Sequence, residues 1–372
     1  MKRIVVSVIS DLVTDQRVHK TAAFLHEEGA DVLLVGRKLP DSLPVSRPYK
    51  VSRLKLWFRK GPFLFAEFNI RLFFFLLFKR MDVLVANDLD TLLANFLVAK
   101  IRRKELVYDT HEYYTGMPEL TGRPVVRKIW ETLERLTFPH LKYIYTVNGS
   151  IARLYREKYG KNLAIVRNIP QKIVRDKWPE RSELELPEDK RIVILQGSGI
   201  NMNRGAEEAI MAMKYLDAGV ILLIIGGGEV YTQLIELVNK EYLHDRVIFK
   251  PRMPYDELMS YTRVSDIGLS LDKDTNINYR YSLPNKLFDY IQAGVPILCS
   301  NLVEVANIVN TWDIGVVTNS HDPENIAAEI TRMLHNKEQY HNWKINLEKA
   351  AQTLHWENER HKLEEIYSPI IR

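Results

Sequence analysis

Ser282-Leu283-Pro284-Asn285-Lys286-Leu287-Phe288-Asp289-Tyr290-Ile291-Gln292-Ala293-Gly294-Val295-Pro296-Ile297-Leu298-Cys299 reads as a polar loop, a short amphipathic helix and an apolar strand. Gly294 stops the helix, and Pro296 opens the strand. A helix handed straight to a strand is the repeating step of a parallel α/β sheet. The helix start carries Lys286, and a helix N-terminus with a lysine suits a phosphate. One turn further in, the Asp289 carboxylate is of a type that accepts hydrogen bonds from a vicinal diol such as a ribose. The segment therefore points to a nucleoside diphosphate linked to a further group.

The same alternation extends in both directions. Upstream, strands are expected at 192–196, 220–225, 247–249 and 267–271, with helices at 205–215, 231–238 and 255–264. Downstream, a helix is expected near 325–334, and a last one at 356–367 stands outside the alternation. An equivalent series fills the first half: strands at 4–9, 31–35, 82–86, 106–108 and 143–147, helices at 17–28, 92–99 and 151–159. Asn148-Gly149-Ser150 caps the last of these helices. Two doubly wound domains follow, with ligands at the strand C-termini. The expected boundaries are 1–168 for the first domain, 169–190 for a polar linker holding Arg175, Asp176 and Pro179, 191–350 for the second domain and 351–372 for a terminal helix.

A chain of 372 residues, 46% apolar and 27% charged, fits two soluble domains better than one core. Its single cysteine, Cys299, excludes a disulfide framework and a cysteine metal site, and its apolar surroundings predict a buried, inert thiol. The start at Met1-Lys2-Arg3 runs directly into a strand without the apolar core of a signal peptide, so the cytoplasm is expected. Charge is uneven. Residues 1–168 hold 29 Lys and Arg against 17 Asp and Glu, while the rest hold 23 against 30. The basic half suits an anionic partner such as a membrane surface, or else is a plain solvated surface. Nucleic acid is not expected, because no stacking-aromatic module accompanies the charge.

Residues 63–80, Phe-Leu-Phe-Ala-Glu-Phe-Asn-Ile-Arg-Leu-Phe-Phe-Phe-Leu-Leu-Phe-Lys-Arg, hold a charge-free run, 72–78, far shorter than the ~20 residues of a spanning helix. Because that run is apolar on every side, a one-faced surface helix is not expected. The alternatives are burial in the first domain and partial insertion into a membrane interface, the latter helped by Arg53, Lys55, Arg59 and Lys60 before it and Lys79 and Arg80 after.

Two glycine-rich strand ends bear on chemistry. Gln196-Gly197-Ser198-Gly199 leads to Arg204 and Gly205 at a helix start, and Ile225-Gly226-Gly227-Gly228-Glu229 follows another strand. The dinucleotide fingerprint needs a further glycine at the position of Tyr231, so a nicotinamide enzyme is weakly supported. Gly197–Gly205, Gly226–Glu229, Val247–Arg252 and Pro284–Pro296 together resemble glycosyltransferase family 4. So do Asp15–Val18, Asn87–Leu92, Tyr108–Glu112 and Val166–Pro170 in the first half.

The resemblance implies retaining enzymes with the GT-B fold: two facing Rossmann-like domains and a C-terminal helix crossing back to the first. It implies a nucleotide-sugar donor as substrate, with no cofactor and no metal. In the donor site it places Gly197, Gly199, Arg204, Gly226, Gly228, Arg252, Asn285, Lys286, Leu287 and Asp289. Asp289 stands where the family usually has glutamate, on the ribose, and the first acid of that pair is replaced by Tyr281. The first member of the diphosphate-binding basic pair is Gly199, which leaves Arg204 and lends Lys286 more weight. Arg252 is expected at the nucleotide base. His111 matches the active-site histidine, expected on the donor sugar and transition state more than as a general base, with Asp88 and Glu112 as partners. Asp15 and Arg17 are expected to face an acceptor, although a helix cap or surface ion pair would also explain them.

The triplets Asp88-Leu89-Asp90 and Asp272-Lys273-Asp274 are read as caps or loop charges, since Lys273 would repel a cation. The leading function is sugar transfer to a glycan or lipid-linked acceptor, with peripheral contact at the inner face of the membrane. A nucleotide-sugar 2-epimerase of the same fold and a non-catalytic nucleotide-sugar-binding protein are the alternatives.

Overall fold

A computed structural model describes residues 1–13, 15–40, 42–173, 175 and 177–371. Asp176 of the expected linker and Arg372 of the terminal segment lie outside the described residues. The chain divides into two compact units, Met1–Asn168 with Glu359–Arg372, and Ile169–Asn358.

In the first unit the chain forms β1 (Arg3–Ser7), α1 (Gln16–Glu27), β2 (Asp31–Lys38), β3 (Lys50–Lys55), α2 (Pro62–Phe78), β4 (Val83–Asn87) and α3 (Leu89–Arg102). It continues with β5 (Glu105–Thr110), α4 (Pro124–Thr137), β6 (Tyr143–Thr146), α5 (Gly149–Tyr159) and β7 (Ala164–Ile165). The strands form one parallel sheet in the order β3-β2-β1-β4-β5-β6-β7. Ile4 stands opposite Val32 on one side and Val83 on the other, so the winding reverses between β1 and β4. That reversal opens a crevice at the strand C-termini, where ligands of such sheets bind.

The second unit contains β8 (Arg191–Gly197), α6 (Ala206–Ala212), β9 (Val220–Gly226), α7 (Tyr231–Lys240), β10 (Val247–Pro251), α8 (Tyr255–Arg263), β11 (Ile267–Ser270) and α9 (Ile277–Arg280). It ends with α10 (Asn285–Ala293), β12 (Ile297–Ser300), α11 (Val303–Trp312), β13 (Gly315–Thr318), α12 (Pro323–His335) and α13 (Lys337–Thr353). Its parallel sheet runs β10-β9-β8-β11-β12-β13, with the switch between β8 and β11. The last helix, α14 (Trp356–Ile371), brings Tyr367 into the first unit, fully buried with its hydroxyl 3.4 Å from that of Tyr145.

Three expectations change. The stretch 169–190 is not a free linker. Leu184 and Leu186 are buried in the core of the second unit, and the Arg181 guanidinium donates to Val264 O, Lys190 O and Asp266. Isolated apolar anchors inside a polar run carry no period, so the sequence pattern hides them. β3, α4, α11, β13 and α13 lie in stretches where no element was expected. β3 and β13 are short edge strands whose residues are mostly half-exposed.

The third change concerns α2, which is one-faced after all. Leu64, Phe68, Leu72 and Leu76 are buried at helical spacing, whereas Phe63, Ile70, Phe74 and Phe78 are exposed, Phe78 at 80%. Its polar residues are spent locally. Glu67 accepts from the backbone of Trp57 and Phe58 and pairs with Arg71, and Asn69 donates to Asp90 O. Among the described residues, no helix is long and apolar enough to cross a membrane.

Candidate functional sites

In the first unit the site grows from the end of β5. Asp109 and His111, two residues apart along an extended stretch, project to the same side. Asp109 is fully buried and receives Arg17 through two bonds, Nε at 3.0 Å and Nη2 at 2.6 Å. Arg17 also donates to Val166 O at 2.9 Å. Burial works against the Asp109 charge, but Arg17 and His111 outweigh it and hold the carboxyl at about 2. His111 lies between two carboxylates, with Nε2 at 3.1 Å from Asp109 and Nδ1 at 3.1 Å from Asp88. Burial lowers its proton affinity, yet Asp88 and Asp109 prevail and raise it well above the usual histidine value. His111 therefore holds its proton near neutrality and is not poised to take one.

Asp88 occupies the N-cap position of α3 with φ at 58°, and its side chain does not cap the helix. Both its oxygens go to His111 instead, one to the ring and one to the backbone N–H at 2.8 Å. A non-glycine residue in this backbone region is strained, and here the strain aims a carboxylate at an imidazole.

The other assignments in this unit shift. Glu112 is exposed, and the two ring nitrogens of His111 face Asp88 and Asp109. Arg17 is 7% exposed and committed to Asp109, so it positions the histidine's partner and does not face an acceptor. Asp15 caps α1, accepting from Val18 N at 3.1 Å and from the Ser10 hydroxyl at 2.6 Å. Asp109 was missed, and the signal for it was its two-residue spacing from His111.

In the second unit two glycine turns meet at the ends of β8 and β9. A Cβ on Gly226 would stand 1.8 Å from Gly197 O, and one on Gly228 would stand 2.2 Å from Ile200 O. These two glycines let the turns abut, which is a packing role. At Gly197 and Gly199 a Cβ would meet nothing nearer than 3.7 Å, so this turn is the open one. Arg252 is exposed, donates to Ser198 O and lies over Gly227.

Asp272, just past β11, organises the charges. Its side chain is fully buried, with Arg204 Nη1 at 2.8 Å from one oxygen and Lys286 Nζ at 3.0 Å from the other. Burial opposes ionisation, but Lys286 and Arg204 outweigh it and keep the carboxyl below its ordinary range. The expected loop charge is thus a buried bridge between the two cations assigned to the diphosphate. Arg204 Nε is buried and has no hydrogen-bond partner among the described residues. The triplet does not act together, because Lys273 pairs with Glu208 and Asp274 with Arg280.

At α10 no side chain caps the N-terminus at Pro284, and Asn285 is exposed beside it. The Leu287 N–H is taken by Pro284 O at 3.1 Å and its side chain is wholly buried, so Leu287 serves packing and not the ligand. Asp289 also turns inward. It is 6% exposed, and its oxygens accept from Gln196 Nε2 at 3.1 Å and from the Tyr255 hydroxyl at 2.9 Å. The aspartate arm is one methylene shorter than glutamate and ends among these neighbours. Two cations against one carboxylate, beside a bare helix start and an open glycine turn, are an arrangement suited to an anion.

Comparison with known proteins bears on the family and the fold. The profile of the group 1 glycosyl transferases matches residues 176–350, and that of glycosyltransferase family 4 matches residues 15–170. No curated protein sequence registers as a relative. Among solved structures, sucrose-phosphate synthase from Thermosynechococcus elongatus aligns over 99% of both chains, with a TM-score of 0.80 and 16% identity. Anabaena HepE in complex with UDP-glucose covers 99% of both chains, with a TM-score of 0.74 and 14% identity. WaaG, a glycosyltransferase involved in lipopolysaccharide biosynthesis, aligns over 98% of this chain and 99% of its own, with a TM-score of 0.70 and 14% identity. At these identities the likeness is one of fold. The two profile matches together take in most of the sequence, and the chain belongs to the group 1 glycosyltransferases of family 4, with the GT-B fold.

Proposed function

We propose that the protein moves a sugar from a nucleoside-diphosphate donor to a glycan or lipid-linked acceptor, with retained anomeric configuration and without a catalytic metal. The setting would be synthesis of a cell-surface polysaccharide or glycoconjugate in the cytoplasm. The observation that carries this reading is the net positive cluster of Arg204, Lys286 and Asp272 beside the open Gly197–Gly199 turn. Such a cluster suits a leaving diphosphate, whose charge grows as the glycosidic bond breaks. HepE, of the same fold, holds UDP-glucose, which supports a nucleotide-sugar donor.

In the proposed step the acceptor oxygen bonds to the anomeric carbon as the bond to the diphosphate breaks. The acceptor proton passes to a phosphate oxygen. His111, already protonated between two carboxylates, supports the sugar and does not act as base. The exposed aromatic stripe of α2, flanked by Arg59, Lys60, Lys79 and Arg80, would rest on an anionic membrane.

The test is incubation of the full chain with a panel of nucleoside-diphosphate sugars in EDTA, with and without glycan or lipid-linked acceptors. The expected product is a glycoside with the donor's anomeric configuration, formed only with acceptor. A 2-epimer from donor alone would replace the transferase by an epimerase, and binding without turnover on any acceptor would leave a non-catalytic binder.

A further inference from the structure

A cavity of about 250 Å3 opens in the first unit at the strand C-termini beside the β1/β4 switch. Leu64 and Phe65 of α2, with Met117, supply apolar lining, and Arg37, Asp88, Asp90 and Tyr114 supply polar lining. Drug-sized ligands take roughly 300–1,000 Å3, so this space suits a single small ring.

Its polar groups are incompletely satisfied. Asp90 is 7% exposed, its Oδ1 has no partner among the described residues, and the Tyr114 hydroxyl reaches Oδ2 only at 3.5 Å. Arg37 Nε is likewise buried without a partner among the described residues. Buried polar atoms left unpaired are costly and rare, and a ligand that pairs them recovers part of that cost. Burial, and then the nearby Asp88, push the Asp90 carboxyl well above its ordinary range, so it stands as a neutral acid that both donates and accepts.

The lining also discriminates by charge. An anionic substituent would meet Asp88 and Glu112, and a cationic one would meet Arg37. A neutral polyhydroxy ring escapes both penalties, and its C–H face can lie on Phe65 and Met117. We propose that this cavity is a subsite for one neutral sugar ring of the acceptor, with Asp90 and Arg37 recognising its hydroxyls. The assignment of the ring to the acceptor rests on the sugar-transfer reading above, whereas binding of the ring does not. Asp90 and Arg37 thus take the acceptor-side place that Asp15 and Arg17 were expected to fill.

The experiment is saturation-transfer NMR on the full chain with the methyl glycosides of glucose, galactose, mannose and N-acetylglucosamine, and with methyl glucuronide as the anionic control. UDP affinity is measured on the same samples. At least one neutral glycoside should bind, and its affinity should fall on the order of tenfold or more in Asp90→Leu. Asp90→Asn, which keeps a neutral donor and acceptor, should retain most of the binding. Arg37→Gln should weaken it, and so provides a second variant if Asp90→Leu does not fold. UDP affinity should remain within about twofold in all of them, because the diphosphate cations belong to the second unit. Absence of binding by every neutral glycoside, preference for the glucuronide, or unchanged binding in both Asp90→Leu and Arg37→Gln would overturn the subsite. Failure of the wild-type chain to bind UDP would instead overturn the nucleotide-sugar reading and leave the glycoside result standing.

Discussion

Each unit places one fully buried aspartate between two cations at the ends of its strands. In the first, Asp109 bridges Arg17 and His111, and in the second, Asp272 bridges Arg204 and Lys286. The difference lies in what surrounds them. Asp88 adds a second carboxylate on the far side of His111, so two positive charges face two negative ones. Among the described residues, Arg204 and Lys286 form ion pairs with Asp272 alone, and so keep a surplus of one positive charge. A balanced cluster holds geometry, whereas a surplus of positive charge suits an anion. The same device, a buried bridging carboxylate, thus gives two charge balances through one extra side chain.

The two clusters should differ most when their aspartates are replaced. Asp109→Asn strands Arg17, which is 7% exposed, and should cost about 3–5 kcal/mol of stability by urea denaturation. Asp272→Asn should cost about 1–3 kcal/mol, because Lys286 and Arg204 are 10% and 28% exposed and reach water more readily. The reverse order would show that burial of the cations does not govern the two bridges.

Next in size, Lys286→Ala removes the surplus charge and should weaken UDP binding roughly 10- to 100-fold while uridine binding stays nearly constant. Equal losses for the two ligands, measured by calorimetry, would take Lys286 away from the diphosphate.

The titrating group of the first cluster permits a finer test. The raised His111 contributes stability that is complete below about 6.5 and is lost as pH rises through its folded value. The stability gap between wild type and His111→Gln should therefore be wider at pH 6 than at pH 9. Asp109, held at about 2, contributes above the ~3.9 of an unfolded aspartate and loses that contribution as pH falls through about 2. A gap that grows with pH would mean His111 is neutral in the folded protein.

The smallest effect concerns Asp289. Because Gln196 and Tyr255 already occupy its oxygens, UDP and 2′-deoxy-UDP should bind within about threefold of each other. A site built on that hydroxyl would separate them by up to ~10⁴. Strong discrimination would show that the carboxylate swings out to the ribose.

Much of the molecule was legible before its folding was known. Strand and helix alternation predicted both parallel sheets, because two-residue and near-four-residue periods are local properties of the chain. The glycine turns, Arg204, Lys286 and His111 stood at strand ends and helix starts for the same reason. What escaped was pairing at a distance. Arg17 and Asp109 are 92 residues apart, Arg204 and Asp272 are 68 apart, and Gln196 and Asp289 are 93 apart. Whether Asp272 is a loop charge or a buried bridge depends on which strands lie side by side, and no local pattern encodes that. The face that α2 leaves exposed is equally non-local, since its all-round apolar sequence is compatible with any face inward. The sequence by itself thus determined most of the elements, their class and the residue types at the strand ends. Only tertiary structure decided which charges are buried together, because burial and partnership arise from neighbours that the chain supplies from far away.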